Sequence, residues 1–156
     1  MVYGRTLEVP LLEIELRSVS RRFRMGDTYV HALNDIDLAI KGEEMISISG
    51  PSGSGKTTLL NVIGTLDRPT SGQVAFDGRD VTDLSESRLS KIRLTQFGFV
   101  FQQFYLLPTL TAFQNIYLPI REARGFGNGG KERVQELLDL VDLSHRAKHL
   151  PSQLYN

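Results

Sequence analysis

The 156-residue sequence has no cysteine, which excludes disulfide bridges and thiolate metal sites and leaves a reducing compartment open to it. It has no excess charge of either sign, since eighteen Lys and Arg balance eighteen Asp and Glu. A neutral total supplies no general positive field for phosphate neutralisation, so no nucleic-acid partner is expected. Long hydrophobic runs are missing too. No stretch reaches the roughly 18–20 uncharged apolar residues that cross a bilayer. The first ten residues lack an apolar signal core, and Glu8 breaks their one candidate run. The expectation is a soluble, cytoplasmic chain whose membrane role, if it has one, comes through a partner. What is present is ordinary for one globular domain: 40% apolar and 23% charged residues.

Leu12, Ile14 and Leu16 alternate with Glu13, Glu15 and Arg17, the period of a half-buried strand. Ile36, Leu38 and Ile40 repeat that period before the turn Lys41-Gly42-Glu43. Met45, Ile46 and Ile48 read as a short strand leading into a glycine-rich loop, and 56–66 as a helix with Leu59, Leu60, Ile63 and Leu66 on one side. Val74 and Phe76 mark a strand, and Asp77-Gly78 a hairpin turn. Asp83 with Glu86 resembles a helix cap, 97–101 a buried strand, and Thr111 with Gln114 a capping box. Four of the six residues 125–130 are glycine, predicting a mobile loop. Val134, Leu137, Leu138 and Val141 then follow the spacing of an amphipathic helix. Strands mixed with helices place the chain in the α/β or α+β class.

Gly50-Pro51-Ser52-Gly53-Ser54-Gly55-Lys56-Thr57 matches G-x-x-x-x-G-K-[ST] at every fixed position. Glycines let the backbone fold tightly round a phosphate, and the exposed N–H groups of the turn and the next helix point at the anion. Lys56 supplies a mobile charge for the β- and γ-phosphates, and Thr57 a hard oxygen for Mg²⁺. A plain Gly/Ser turn would match these positions by chance in about one chain in a few hundred. Its place between an apolar strand candidate and a helix candidate selects nucleotide binding. The loop alone does not choose among kinases, GTPases and transport ATPases.

Three further stretches narrow the choice. The run from Gly50 through Thr58, Leu59 and Leu60 resembles the phosphate loop of ATP-binding-cassette (ABC) transport ATPases. Phe97-Gly98-Phe99-Val100-Phe101-Gln102 is similar to that family's Q-loop strand, and Leu106-Leu107-Pro108-Thr109-Leu110-Thr111-Ala112 continues the likeness. Arg24-Met25-Gly26-Asp27 and Leu66-Asp67-Arg68-Pro69-Thr70-Ser71-Gly72 look most like its lipoprotein-release and macrolide-export branch. The resemblance covers about 12–154. It implies an α/β P-loop NTPase of ABC type: a β-subdomain and P-loop core over about 12–101, then the Q-loop and the start of a helical subdomain over about 102–156. It also implies ATP and Mg²⁺ as cofactors, a membrane-spanning permease engaged near Gln102 to Ala112, and a second nucleotide-binding domain in a head-to-tail dimer. By the same resemblance Phe23 is placed to stack on adenine, Thr58 to help hold the α-phosphate, and Gln102, rather than Gln103, to reach Mg²⁺ and the attacking water. The chain would then lie at the cytoplasmic face of the membrane through its permease.

Several parts of that family's machinery find no match in these residues. Leu150-Pro151-Ser152-Gln153-Leu154 resembles the lead-in to the family's signature sequence, but Tyr155 and Asn156 stand where Ser and Gly belong. No apolar strand ending in Asp-Glu follows Gln102, so the Walker B aspartate, the catalytic glutamate and the switch histidine have no counterpart. The resemblance therefore implies a domain truncated before its signature. In the resembled fold the strand ahead of the phosphate loop pairs with the Walker B strand, so here its edge would stay unpaired. Asp139 and Asp142 read as the solvated face of a helix, Gln114 as a cap, His31 as a surface imidazole, and His145 with His149 lack a third metal ligand. The chain is expected to bind ATP without efficient hydrolysis. Two other readings remain: a non-hydrolysing nucleotide-binding or permease-docking regulator, and a compact P-loop kinase or GTPase.

Overall fold

Two long alternating segments joined by a Gly-Asp turn fold into a hairpin, and a third strand returns to the first. In the structure, a computed structural model, residues 12–124 and 129–154 are described. Strand β1 (Ile14–Met25) pairs antiparallel with β2 (Thr28–Ile40) on one side and with β3 (Ser71–Phe76) on the other. The short β4 (Arg79–Asp80) completes a sheet of order β2-β1-β3-β4. Asp77 and Gly78, both at positive φ (48° and 72°), make the tight turn between β3 and β4, as the Asp-Gly pair predicts. Every strand pairing among the described residues is antiparallel.

The chain divides after Arg93 into two compact units. In the first, Leu16, Val19, Leu33, Val62, Val74, Phe76, Val81 and Leu89 form the buried core. Leu16 and Val19 are both buried although strict alternation would send Val19 to the opposite face. A bulge resolves this: the register shifts between Leu16 and Val19, with Ser18 at φ 48° and its N–H donating to Asp37 Oδ1 at 2.7 Å. Beyond the bulge Val19, Arg21 and Phe23 follow one another at alternate positions of β1.

Helix α1 (Lys56–Ile63) ends three residues earlier than its sequence pattern predicts. Gly64 caps it, and Thr65 turns to φ 55° so that its N–H reaches Val62 O (3.1 Å) while Leu66 N–H reaches Asn61 O (2.8 Å). This is a Schellman closure, with a β-branched residue where glycine is usual. The Thr65 carbonyl accepts from Arg93 Nη1 at 2.8 Å, while its buried Oγ1 has no hydrogen-bond partner among the described residues. Because the helix stops there, Val62 and Ile63 form its buried face, and Leu60 and Leu66 are exposed. Helix α2 (Glu86–Gln96) begins after Ser85, whose carbonyl accepts from Arg88 and Leu89, so Asp83 lies too early to cap it.

The second unit is built on α3 (Ala112–Arg124) and α4 (Gly130–Leu140). The capping box is present: Thr111 N–H donates to Gln114 Oε1 (2.9 Å) and Gln114 N–H to Thr111 Oγ1 (3.3 Å). Asn115 ties the preceding loop to α3, donating from Nδ2 to the carbonyls of Leu107, Leu110 and Thr111 and accepting at Oδ1 from Leu107 N–H. Val134 and Leu138 are fully buried, whereas Val141 falls past the end of α4 and is exposed. Two 3-10 turns, Ser144–Arg146 and Pro151–Gln153, follow. The glycine-rich loop predicted for 125–130 lies outside the described residues at 125–128, and Gly130 already belongs to α4.

Two strands expected from apolar runs are not strands. Residues 44–50 and 97–101 carry no ladder among the described residues, and Met45, Val100 and Phe101 are exposed rather than buried. A strand exists only through neighbours that accept and donate its backbone hydrogen bonds, and among the described residues no ladder includes either segment. Around 97–101 the rings of Phe97, Phe99 and Phe101 stack on one another at 5.9 and 5.6 Å instead. The two kinds of site should separate on mutation. Leu16→Ala is expected to cost about 2–5 kcal/mol by emptying a packed site, and Met45→Ala about 0.5 kcal/mol or less. Urea unfolding followed by circular dichroism measures both.

Candidate functional site

The loop between the sheet and α1 is shaped by one close backbone approach. Gly55 is the residue before α1, at φ 89° and ψ 2°. A Cβ there would lie 2.2 Å from the carbonyl oxygen of Ala32 on β2 and 3.4 Å from Leu33 Cδ2. Only glycine allows both the left-handed conformation and this contact, so β2 sets where the helix begins. Ser54 N–H donates back to Pro51 O at 3.3 Å, and Leu59 N–H to Gly55 O at 2.8 Å, closing the loop onto the first helical turn.

Lys56 reaches across the loop it follows. Its Nζ donates to Gly50 O at 2.9 Å, Pro51 O at 2.6 Å and, more weakly, Ser54 Oγ at 3.4 Å. An ammonium with three oxygen acceptors around it marks the centre of the loop as an oxygen-rich cation position. The helix adds the positive end of its dipole, and no acidic residue in its first turn offsets this. Thr57 is exposed in that first turn, and Thr58 half-buried. The Lys56 ammonium and the helix N-terminus together bring positive charge to this loop.

Phe23 belongs to the same end of the sheet. It pairs with Val30 of β2, two residues from Ala32, which places it roughly 7 Å along the strand from the Gly55 contact. Its ring is 38% exposed and carries the guanidinium of Arg21 over one face, with Cζ 4.4 Å from the centroid. The sequence singled out Phe23 and gave no reason to single out Arg21, its neighbour in space. The only signal was its position two residues away, and its fixing partner, Asp67, is 46 residues distant.

Gln102 is exposed, at a bend after 97–101, and belongs to the second unit, whereas the phosphate loop belongs to the first. Gln103 beside it is exposed too. Asp139 is engaged by Gln135 Nε2 (3.1 Å) and by the Ser144 hydroxyl, and no group of three His, Cys, Asp or Glu among the described residues could hold a metal. The resolved shifts in acidity lie away from the loop. A hydrogen bond from Arg17 holds the Glu15 carboxyl below its usual range, and hydrogen bonds from Thr82 do the same for Asp80.

The family model described as "ABC transporter" matches residues 33–155. This chain belongs to the ABC transporter family. It is 47% identical over 142 residues to a probable syringafactin export ATP-binding/permease protein of Pseudomonas syringae, covering 90% of this chain and 22% of that one. It is 46% identical over 145 residues to an uncharacterized ABC transporter ATP-binding protein of Methanocaldococcus jannaschii, covering 90% of this chain and 62% of that one. A macrolide export ATP-binding/permease protein of Rhodopseudomonas palustris is 45% identical over 141 residues, with 90% and 22% covered. Two solved dimeric structures of the Methanocaldococcus cassette superpose with TM-scores of 0.82 and 0.83 at 44% identity. The first of these, bound to ADP and Pi, covers 90% of this chain and 62% of that one. The fold is therefore that of ABC cassettes, an α/β P-loop NTPase. The chain spans 22% to 62% of the length of these curated relatives.

The ABC phosphate loop in this chain depends on the missing side chain at residue 55. Gly55→Ala should cost on the order of 2–4 kcal/mol, from the left-handed conformation and the forced retreat of β2 or α1. A thermal melt showing no loss of stability would mean that the Ala32 contact is not maintained.

Proposed function

We propose that this chain is the ATP-binding portion of an ABC system of the export or lipoprotein-release kind, and that residues 50–58 hold the phosphates of ATP. The observation that carries the reading is the Lys56 ammonium, gathered among loop oxygens at 2.6–3.4 Å where a helix N-terminus and a left-handed Gly55 meet. A polyphosphate offers the same kind of acceptor, and the backbone N–H groups of the loop and the first turn of α1 would bond its oxygens. Lys56 would exchange loop carbonyls for the β- and γ-phosphates, Thr57 would ligate Mg²⁺, and Thr58 would steady the α-phosphate. Bound Mg²⁺ supplies charge neutralisation across the phosphate oxygens. Phe23 would stack on the adenine, and its neighbourhood to the Gly55 contact supports this. Gln102 would act as the Q-loop glutamine towards metal and water.

The names of the relatives support the partners. Two are ATP-binding/permease proteins and the solved cassette is dimeric, so a membrane-spanning permease at the cytoplasmic face and a second cassette are proposed for this chain. After Gln102 the aspartates of these residues are Asp139 and Asp142, on α4 and just past it, and no apolar run ends in Asp-Glu. The 156-residue polypeptide is accordingly proposed to bind ATP without efficient turnover.

A thermal melt with and without Mg-ATP tests the binding. At a hundredfold excess over the dissociation constant, ligand linkage contributes about 2.7 kcal/mol. That corresponds to a rise in Tm of about 5–10 °C for a chain of this size. Lys56→Ala should abolish the rise. No rise in the wild-type chain would remove the phosphate-loop reading, and steady release of phosphate by the 156 residues alone would overturn the proposed lack of turnover.

A further inference from the structure

The exposed ring of Phe23 is tied to the far end of the phosphate-loop helix through one arginine. The Arg21 guanidinium over the ring donates Nε to Asp67 Oδ2 and Nη2 to Asp67 Oδ1, each at 2.8 Å. Both side chains are about three-quarters buried, with 24% exposure each. Asp67 is fixed in turn: its N–H donates to Asn61 O at 3.1 Å in the closure of α1, and its Oδ1 also accepts from Arg68 N–H at 2.8 Å. A guanidinium held by two parallel hydrogen bonds is a rigid plate, and a plate is what stacks on an aromatic face. An exposed phenylalanine free to change rotamer would lose that freedom on binding a base, whereas a ring already held would not.

We infer that Arg21, clamped by Asp67, is a positioning residue for the nucleotide base. It covers one face of Phe23 and holds the ring with its other face offered to the base of a nucleoside triphosphate. The inference rests on the reading of Phe23 as the base platform given above. Arg21 acts through the ring, and its charge is neutralised by Asp67, so it adds no attraction for the phosphates. Its effect is therefore confined to ligands that carry a base. A tie serving only the joint between β1 and α1 would affect every ligand of the loop alike.

Isothermal titration of the 156-residue chain with Mg-ATP and with inorganic tripolyphosphate separates the two. Arg21→Ala should weaken ATP binding about three- to tenfold, the cost of ordering one side chain. It should leave tripolyphosphate affinity within about twofold, and adding it to Phe23→Ala should bring no further loss. Equal losses for both ligands, fully additive losses in the double variant, or tighter ATP binding by Arg21→Ala would each overturn the inference. The last result would mean that the guanidinium occupies the face the base needs. If Phe23→Ala weakens ATP and Arg21→Ala does not, the positioning role falls and the base platform stands. If Phe23→Ala leaves ATP binding unchanged, the platform reading falls and the inference with it. Should Arg21→Ala fail to fold, Arg21→Lys carries the same comparison, since it keeps the positive charge beside Asp67 but loses the two-pronged clamp and the flat guanidinium.

Discussion

The carbonyl oxygen of Ala32 occupies the space in which any side chain at residue 55 would start. This one contact joins a strand of the antiparallel sheet to the first turn of α1, and the rest of the site takes its position from it. Because β2 is held along its length by β1, the oxygen cannot withdraw without disturbing a ladder that runs from Ile14 to Met25. The helix therefore starts where the sheet dictates. Its N-terminal N–H groups, Lys56 and the loop carbonyls are arranged around a point set by tertiary packing rather than by the loop's own preferences.

The other end of α1 is closed with equal care. A left-handed Thr65 completes the Schellman bonds, at a strain that a β-branched residue does not accept without support. That support comes from Arg93, which donates to the Thr65 carbonyl, and from the packing that buries the residue. Just beyond, Asp67 grips Arg21 and so connects the helix end back to β1. The helix is thus pinned to the same sheet at both ends, by backbone contact at one and by a bidentate ion pair at the other. A helix of only eight residues has little stability of its own, and these two attachments supply what its length does not.

Local chemistry was readable wherever neighbours in sequence are also neighbours in space. The Asp77-Gly78 turn and the Thr111–Gln114 capping box appear as the residue types require, because each involves atoms within a few positions of one another. The phosphate loop was readable for the same reason. Failures arose where the outcome depends on a distant partner. The apolar runs at 45–48 and 97–101 have strand composition, yet composition cannot supply the adjacent backbone that a ladder needs. The helix pattern to Leu66 was overruled by the closure at Gly64 and Thr65, which α2 stabilises through Arg93.

For this protein the sequence by itself determined the type of fold and its signature loop: eight residues that match the phosphate-loop pattern at every fixed position, and the likeness that assigns the chain to ABC cassettes. These survive because they are encoded in residue identity at fixed short spacing. Tertiary structure alone decided that Gly55 faces Ala32, that the bulge at Ser18 moves Val19 into the core, and that Arg21 finds Asp67 across 46 residues. Such contacts join segments whose separation along the chain carries no information about their distance in space. They come into being only when the sheet has formed and the helix has packed against it.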